Sequence, residues 1–366
     1  MTHTNKKRVL FVTGSTGGHV WPAVWIAKQL QLQSSDIECY FYISGSIIEE
    51  KILKAQSFQY TRVYSGKWRR YFSLLNFIDI FKIILGFFQS MVLLIISRPK
   101  IIFIKGGFLG VPIAFAAIIL SIPYVNHESD ARLGLANKVI SRFSNRIFVA
   151  FPADLYHMSP TNLIKTQTVG IPIAPEFYNL KKPETKISTI LFLGGSLGSK
   201  KINDSLKPIL EKLLTKYKII HICGQNNLQE FQNVKSSLIP QLRNNYDLYG
   251  FIEYGIADLM KSSNLVVSRA GATTIFELAS LAKPVIFIPL GRKASRGDQI
   301  YNCKFIQELH AGIVINDDNL STNKLQQKII ELVGDPNQVQ KISTNIRSIS
   351  VGQSSQTIVN YLKKYL

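Results

Sequence analysis

Cysteine is scarce in this chain. Three occur in 366 residues, Cys39, Cys223 and Cys303, far apart and with no CxxC pair. That excludes a disulfide framework and a thiolate zinc site, and fits a reducing compartment. Nucleotide fingerprints are missing too. No G-x-x-x-x-G-K-[ST] occurs, which disfavours P-loop hydrolysis of ATP. The first glycine turn lacks G-x-G-x-x-G spacing, and Asp36 and Glu38 precede or begin the second strand-like run, where a ribose-binding carboxylate is misplaced. Hydride transfer is disfavoured accordingly. No DxD-like motif stands out, so neither a metal nor another cofactor is expected.

Clean apolar runs long enough to span a bilayer are also lacking. "NFIDIFKIILGFFQSMVLLIIS" (76–97) carries Asp79, Lys82 and Gln89, and "FLGVPIAFAAIILSIPYV" (108–125) is interrupted by Pro112 and bounded by Pro123. A spanning helix needs about 20 apolar residues. Both segments are expected as buried helices of an α/β domain, the first also being suited to a bilayer surface. Met1 to Arg8 is polar and basic with only a short apolar run behind it, so no signal peptide is expected. Acidic residues are few, 23 against 43 Lys and Arg, a net charge of +20. Such an excess implies anionic company: nucleic acid, phospholipid headgroups or phosphorylated small molecules. Most of it is scattered surface charge, with one knot at Lys67, Trp68, Arg69 and Arg70. No RNP, zinc-finger or helix-turn-helix signature is present, so nucleic acid is not an expected partner.

What the chain does contain is a repeating pattern of strand, turn and helix. "KRVLFVTG" leads into a helical pattern with Val20, Val24, Ala27 and Leu30 in register, and "IECYFYISG", "PKIIFIKGG", "IPYVNHES" and "NRIFVAF" continue the series. A helix from about Pro112 to Leu120 follows the third run. After "VGIPIAPEFY" a new set begins: "STILFLGGSLGS", "YKIIHICG", "DLYGFI", "NLVVSRAG" and "KPVIFIPLG". Short apolar strands alternating with helices predict parallel sheets covered on both faces. Two series predict two doubly wound domains, with a boundary in the Pro-rich stretch from Ile171 to Pro183. Ligands are then expected at the carboxyl ends of the strands, in the cleft where the two domains face each other.

Three glycine turns follow strands: Gly14 to Gly18, Gly106 to Gly110, and Gly194 to Gly198. A turn that opens a helix offers free N–H groups and the helix dipole to phosphate. Tight turns also use glycine for steric reasons alone, but three equivalent turns, two carrying Ser or Thr, favour phosphate binding. His19 sits just after the first turn, before Trp21 and Pro22. A helix N-terminus disfavours imidazolium, leaving a neutral ring able to accept a proton. His127, in "NHESD", is expected as a hydrogen-bonded loop residue, and His3, His157, His221 and His310 have no motif around them. In "SRAGATTIFELA" (268–279), Thr273 or Thr274 is suited to cap a helix, and Glu277 stands at capping-box spacing from Thr274. "GRKASRGDQIYN" (291–302) is a polar loop suited to reading hydroxyl groups.

The motifs "TGSTGGHVWP", "KGGFLGVP", "NHESDARLGLANK", "LGGSLGS", "SRAGATTIFELA" and "ASRGDQIYN" together resemble, in order and spacing, the MurG family of peptidoglycan synthesis. The likeness covers nearly the whole chain, and the forms "HESD" and "SRGDQ" are similar to the branch typical of Gram-positive bacteria. It implies the two-domain glycosyltransferase-B fold. The first domain would be residues 1–170 completed by a C-terminal helix at 348–366, and the second residues 171–347. It implies inverting transfer of N-acetylglucosamine from UDP-N-acetylglucosamine to the muramyl 4-hydroxyl of lipid I, giving lipid II on the cytoplasmic face of the membrane. The near rivals are a glycolipid glycosyltransferase or a UDP-sugar epimerase of the same fold.

Residue by residue, the resemblance makes His19 the general base and puts Thr16, Gly17 and Gly18 in the loop bordering the acceptor diphosphate and donor sugar. Gly14, Gly106 and Gly107 fall on the acceptor diphosphate. Asp130 stands where other branches have a donor-contacting Asn, Ser196 at a donor-phosphate contact, and Ile252 where backbone reads uracil. Ala272, Thr273 and Thr274 hold sugar and phosphates, Glu277 the ribose, and Gln299 the sugar hydroxyls; Asp298 stands where many relatives have Gln. In "GIPIAP" this chain has Ala174 where the family has a donor-contacting Arg, with Arg269 or Lys200 as candidate replacements.

Overall fold

The computed structural model describes residues 6–66, 75–178, 187–195, 198–252, 255–291 and 297–366, apart from the side chains of 75–78. The chain divides into two compact units, Met1–Ala174 with Val351–Leu366, and Pro175–Ser350. The first holds a seven-stranded sheet of β1 (Lys7–Val12), β2 (Ile37–Ile43), β3 (Gln59–Arg62), β4 (Ile101–Ile104), β5 (Tyr124–Glu128), β6 (Arg146–Val149) and β7 (Thr166–Thr168). Its order is β3-β2-β1-β4-β5-β6-β7, and every pairing is parallel. The second holds β8 (Thr189–Leu193), β9 (Lys218–Ile222), β10 (Tyr246–Tyr249), β11 (Leu265–Ser268), β12 (Val285–Phe287) and β13 (Ile313–Val314). Their order is β10-β9-β8-β11-β12-β13, again all parallel. Two doubly wound sheets are therefore present.

The apolar runs become strands because both of their faces are covered. In β1, Val9 and Phe11 enter one core cluster while Leu10 and Val12 enter another on the opposite face. The first cluster packs against α1 (Gly17–Gln33), whose Val20, Val24, Ala27 and Leu30 are all buried. The second packs against α4 (Gly110–Ile119), which starts two residues before the expected Pro112. Strands β3, β7 and β13 had no apolar run to announce them. Their sequences are QYTR, TQT and IV, and each lies at the edge of its sheet, where half the backbone and much of the side-chain surface stay outside the core.

Helix α3 (Leu75–Ser97) departs from the expectation of a buried helix. Within it, Asp79–Ser97 is long and apolar enough to cross a membrane, yet only 17% of it is buried. Leu94 is buried and Phe87, Met91 and Leu93 pack against the core beside α4. Phe81, Ile84, Leu85, Phe88, Val92, Ile95 and Ile96 are exposed. Both stripes keep helical spacing, so one face anchors the helix to the unit and the other presents hydrocarbon outward. The knot Lys67 to Arg70 lies outside the described residues.

The final helix, Ser354–Leu362, returns to the first unit. Ile358, Val359 and Leu362 join the cluster of Val20, Val24 and Ala27 on α1. Truncating such a side chain leaves a cavity that neighbours fill only in part. Leu362→Ala is therefore expected to lower the stability of the first unit by about 2–5 kcal/mol, read by urea denaturation; a change under about 0.5 kcal/mol would show that this helix is not part of the core.

Candidate active site

The order of the first sheet reverses between β1 and β4, so the chain leaves these neighbouring strands in opposite senses. Two glycine turns meet there. Lys105 N–H donates to the Val12 carbonyl at 2.9 Å, joining the ends of β4 and β1. A Cβ on Gly107 would lie 3.4 Å from the Cα of Gly14, and Gly107 has φ +84°. A Cβ on Gly14 would collide with Nδ1 of His19, so glycine is what lets the imidazole lie against the turn. His19 is the third residue of α1, half-buried, with its N–H donating to the Thr16 carbonyl at 2.9 Å. The N–H groups of Gly17 and Gly18 open the helix and have no intrahelical acceptor. Thr16 is the N-cap but makes no side-chain cap bond.

The first turn is fastened from behind by Glu49, a residue the sequence reading passed over. Glu49 is fully buried and accepts from Thr13 Oγ1 (3.3 Å), Ser44 N (3.3 Å), Ser44 Oγ (2.6 Å) and Ser46 N (3.0 Å). With Ser46 it forms a capping box on α2 (Ile47–Ala55), and Ser46 Oγ donates to the Ser15 carbonyl at 3.1 Å. The signal was available as Ser-x-x-Glu before an apolar run.

Beyond the second turn lies a buried polar cluster. Lys105 Nζ donates to His127 Nδ1 at 2.9 Å and to Ser129 Oγ. His127 Nε2 lies 2.8 Å from the Gly170 carbonyl, which requires N–H at Nε2 and leaves Nδ1 as the acceptor. Burial, then the charge of Lys105, hold this imidazole well below its ordinary range. His127 is thus a buried residue of β5 and not a loop residue. Glu128 organises the loop that follows: Oε1 accepts from Ser129 N and Asp130 N, and Oε2 from Gly134 N and Asn137 Nδ2, at 2.8–3.1 Å. That carboxylate sets the position of Asp130.

In the second unit the sheet reverses between β8 and β11, and again two turns are joined there. Gly198 N donates to the Gly195 carbonyl at 3.0 Å, closing the turn after β8. Ser199 caps the helix Lys200–Leu206 and accepts from Arg269 Nε, at the end of β11, at 2.9 Å. Arg269 Nη1 reaches the Ile288 carbonyl and Asp317 Oδ1 at 2.6 Å, while Lys201 Nζ holds Asp317 Oδ2 at 2.7 Å. Burial raises the Asp317 carboxyl, but its hydrogen bonds from Lys201 and Arg269 outweigh that and keep it below its ordinary range. Arg269 is therefore committed to Asp317, and Lys200 pairs with Asp204 at 3.6 Å on an exposed surface.

The helix after β11 spans Ala272–Ser280 with Gly271 as N-cap and no side-chain cap. Neither Thr273 nor Thr274 caps it, and Glu277 is not in a capping box; Gly271 is extended, so the helix starts one residue before Thr273. Thr273 and Thr274 lie in the first turn, and Glu277 is half-buried one turn further on. Burial pushes the Glu277 carboxyl up to about 8. Gln299, in the helix Asp298–Glu308, accepts from Leu290 N at 2.9 Å, and Ile252 is half-buried beyond β10. Ser196 lies outside the described residues. The first unit thus gathers Gly14, Thr16, Gly17, Gly18, His19, Gly106 and Gly107 at one reversal of strand order. The second gathers the turn after β8 and Ala272, Thr273 and Thr274 at another.

Known proteins resemble the chain along nearly its whole length. Residues 9–149 match the glycosyltransferase family 28 N-terminal domain and residues 189–356 its C-terminal domain. Clostridium novyi has a UDP-N-acetylglucosamine–N-acetylmuramyl-(pentapeptide) pyrophosphoryl-undecaprenol N-acetylglucosamine transferase that is 35% identical over 99% of both chains. A relative of the same name from Clostridium botulinum strain Langeland is 36% identical over 98% of this chain and 99% of its own. The crystal structure of Acinetobacter baumannii MurG superposes with a TM-score of 0.76 at 26% identity, over 98% of this chain and 99% of that one. A UDP-GlcNAc 2-epimerase from Neisseria meningitidis shares the fold, with a TM-score of 0.65 at 17% identity. With its two family domains and full-length relatives of one name, the chain belongs to glycosyltransferase family 28, within the MurG family of N-acetylglucosamine transferases.

Proposed function

We propose that the chain transfers N-acetylglucosamine from UDP-N-acetylglucosamine to the muramyl 4-hydroxyl of lipid I, giving lipid II and UDP with inversion at the sugar carbon. The observation that carries this reading is the full-length likeness to transferases of that name. His19, lying against Gly14 at the helix start, supplies the base the reaction needs. The acceptor oxygen forms a bond to the anomeric carbon as the bond from that carbon to the UDP oxygen breaks, and the hydroxyl proton passes to the imidazole. The turns at Gly14 and Gly106–Gly107 receive the acceptor diphosphate, and Thr16, Gly17 and Gly18 border it and the donor sugar. The resemblance gives the donor sugar to Asp130 and Gln299, the uracil to Ile252, the donor diphosphate and sugar to Ser196, Ala272, Thr273 and Thr274, and the ribose to Glu277. Departing negative charge is met by the N-terminus of the helix Ala272–Ser280 and its hydroxyls.

The acceptor hangs from a membrane lipid, and the outward stripe of α3 fits the reading of a peripheral enzyme on the cytoplasmic leaflet. Large apolar side chains at 81, 84, 85, 88, 92, 95 and 96 are presented together, and α4 adds Phe115 and Ile119. Contiguous apolar surface of this extent marks an interaction face. The net charge of +20 suits an anionic surface, where each basic residue contributes about 1 kcal/mol, screened by salt.

His19→Ala is expected to lower kcat on the order of 10²–10⁴-fold with UDP affinity unchanged in calorimetry. A variant that keeps more than half of wild-type turnover would end the assignment of His19 as base.

Glu277 gives a pH test. In the free protein its carboxyl titrates near 8, well above its ordinary 4.5, so the folded chain holds this proton more tightly than the unfolded chain. Stability contributed by Glu277 therefore declines as pH rises from about 4.5 towards 8 and then levels off. Ribose hydroxyls that donate to the carboxylate favour its ionised form. UDP binding at pH 7 is accordingly expected to release a proton and to strengthen up to pH 8. Glu277→Gln should bind UDP more weakly and without proton release, and titrations in buffers of different ionisation enthalpy read this directly. Identical proton release by wild type and Glu277→Gln would remove Glu277 from the ribose site.

For the membrane face, Phe81→Asn with Phe88→Asn should sediment less with vesicles at any salt. Lys67→Glu with Arg69→Glu and Arg70→Glu should lose binding only to anionic vesicles at low salt. Unchanged sedimentation of both variants would leave the acceptor as the only membrane tether.

A further inference from the structure

Lys105 is 1% exposed, at the end of a strand whose other residues are all apolar. Its ammonium has two side-chain partners among the described residues, His127 Nδ1 and Ser129 Oγ, and both are neutral acceptors. No carboxylate of the described residues lies within ion-pair distance of it. The nearest negative charges, Glu128 and Asp130, act from further away, and both oxygens of Glu128 already accept from the loop 129–137. A buried cation without a direct counter-ion is strongly unfavourable. Two neutral acceptors need a donor but no charge, so folding alone gives no reason for a cation here.

Its location does. Lys105 is tied through its own N–H to β1 and is followed directly by Gly106 and Gly107, both at positive φ, with Gly107 against Gly14. Those glycines add no side chain of their own to the turn, and the Asn137 amide lies against Gly106. His127 is locked as an acceptor by the Gly170 carbonyl, so it directs the ammonium without supplying a charge. We propose that Lys105 is the counter-charge for the sugar diphosphate of the acceptor, a positioning residue that sets acceptor affinity through the Gly106–Gly107 turn. This rests on the assignment of the Gly14 and Gly106–Gly107 turns to the acceptor. The charge acts through a protein interior of low dielectric, where one elementary charge changes anion affinity substantially.

The test is Lys105→Met, which keeps volume and removes charge. With a soluble lipid I analogue, the variant should raise acceptor KM about 10-fold or more, with a smaller change in kcat and an unchanged UDP Kd, while Tm falls because His127 Nδ1 and Ser129 Oγ lose their donor. Burial lowers the Lys105 amine to about 8 against the opposing charges of Glu128 and Asp130, with His127 and Ser129 in contact and His19 acting on His127 from α1. Wild-type acceptor KM should therefore climb above pH 8, and that climb should be absent in Lys105→Met. An unchanged acceptor KM overturns the proposal, and so does a loss confined to UDP affinity, which would give the charge to the donor. If Lys105→Met does not fold, the wild-type profile decides: an acceptor KM flat from pH 7 to pH 9 overturns it. Gly107→Ala separates the two levels of inference. If it raises acceptor KM while Lys105→Met does not, the turn assignment stands and the role of Lys105 falls; if neither raises it, the turn assignment fails first.

Discussion

In each sheet the direction of strand addition reverses once, between β1 and β4 in the first unit and between β8 and β11 in the second. Neighbouring parallel strands whose connections leave in opposite directions cannot cover their own carboxyl ends, so polar groups can collect there without entering the core. The apolar runs show how abruptly this happens. Four buried residues of β4 are followed at once by Lys105 and two glycines, and β11 by Arg269, Ala270 and Gly271. Backbone approach at these points is close enough that the identity of a single residue matters. His19 has its place because Gly14 has no side chain, and Gly14 faces Gly107 because the two strands are adjacent.

The two reversals handle buried charge differently. At the second, Arg269 joins the ends of β11 and β12 to the cap of the helix Lys200–Leu206 and is balanced by Asp317, which Lys201 also holds. Every member of that group has an opposite charge at 2.6–2.7 Å, which makes it a rigid brace for the turn after β8. At the first, Lys105 has only neutral acceptors. A brace satisfied from within is insensitive to ligand, whereas a charge left without a direct counter-ion responds to any anion that arrives. The same topology thus carries a structural cation in one unit and a responsive one in the other.

The central strands were legible because they are buried on both faces and therefore read as unbroken apolar runs, as Val9 to Val12 and Ile101 to Ile104 do. The edge strands QYTR, TQT and IV were not, since an edge needs no such run. His19 and the glycine turns were legible through local spacing. Lys105 and Asp317 were not, because their partners lie 22–24 and 48–116 residues away, and Glu128 was not, because its partners, though within nine residues, are mostly backbone N–H groups that leave no side-chain pattern. Glu277 was misleading: its spacing from Thr274 imitates a capping box, but helix start is decided by Gly271, and the spacing carries no information about that. The burial of α3 was half legible. Its composition announced an apolar helix, while the split into an inner and an outer stripe depends on how it lies on α4.

Arg269 also bears on the departure at Ala174. The family resemblance implies a donor-contacting arginine at that position, and Arg269 is a candidate substitute in the sequence. Its hydrogen bonds to Ser199, Ile288 and Asp317 argue otherwise, because turning it towards a ligand would strand Asp317 with Lys201 alone and release the end of β12. Breaking a buried pair by removing one partner costs about 3–5 kcal/mol, more than one exposed phosphate contact returns. On the proposed reading, the load of a nucleotide diphosphate then falls on groups that need no compensating charge, namely the first-turn N–H groups of the helix Ala272–Ser280 with Thr273 and Thr274. Helix dipoles and hydroxyls lose less to salt than an exposed cation does, since they act only at contact distance. Donor recognition built this way depends on the geometry of one helix end, which begins three residues after Arg269.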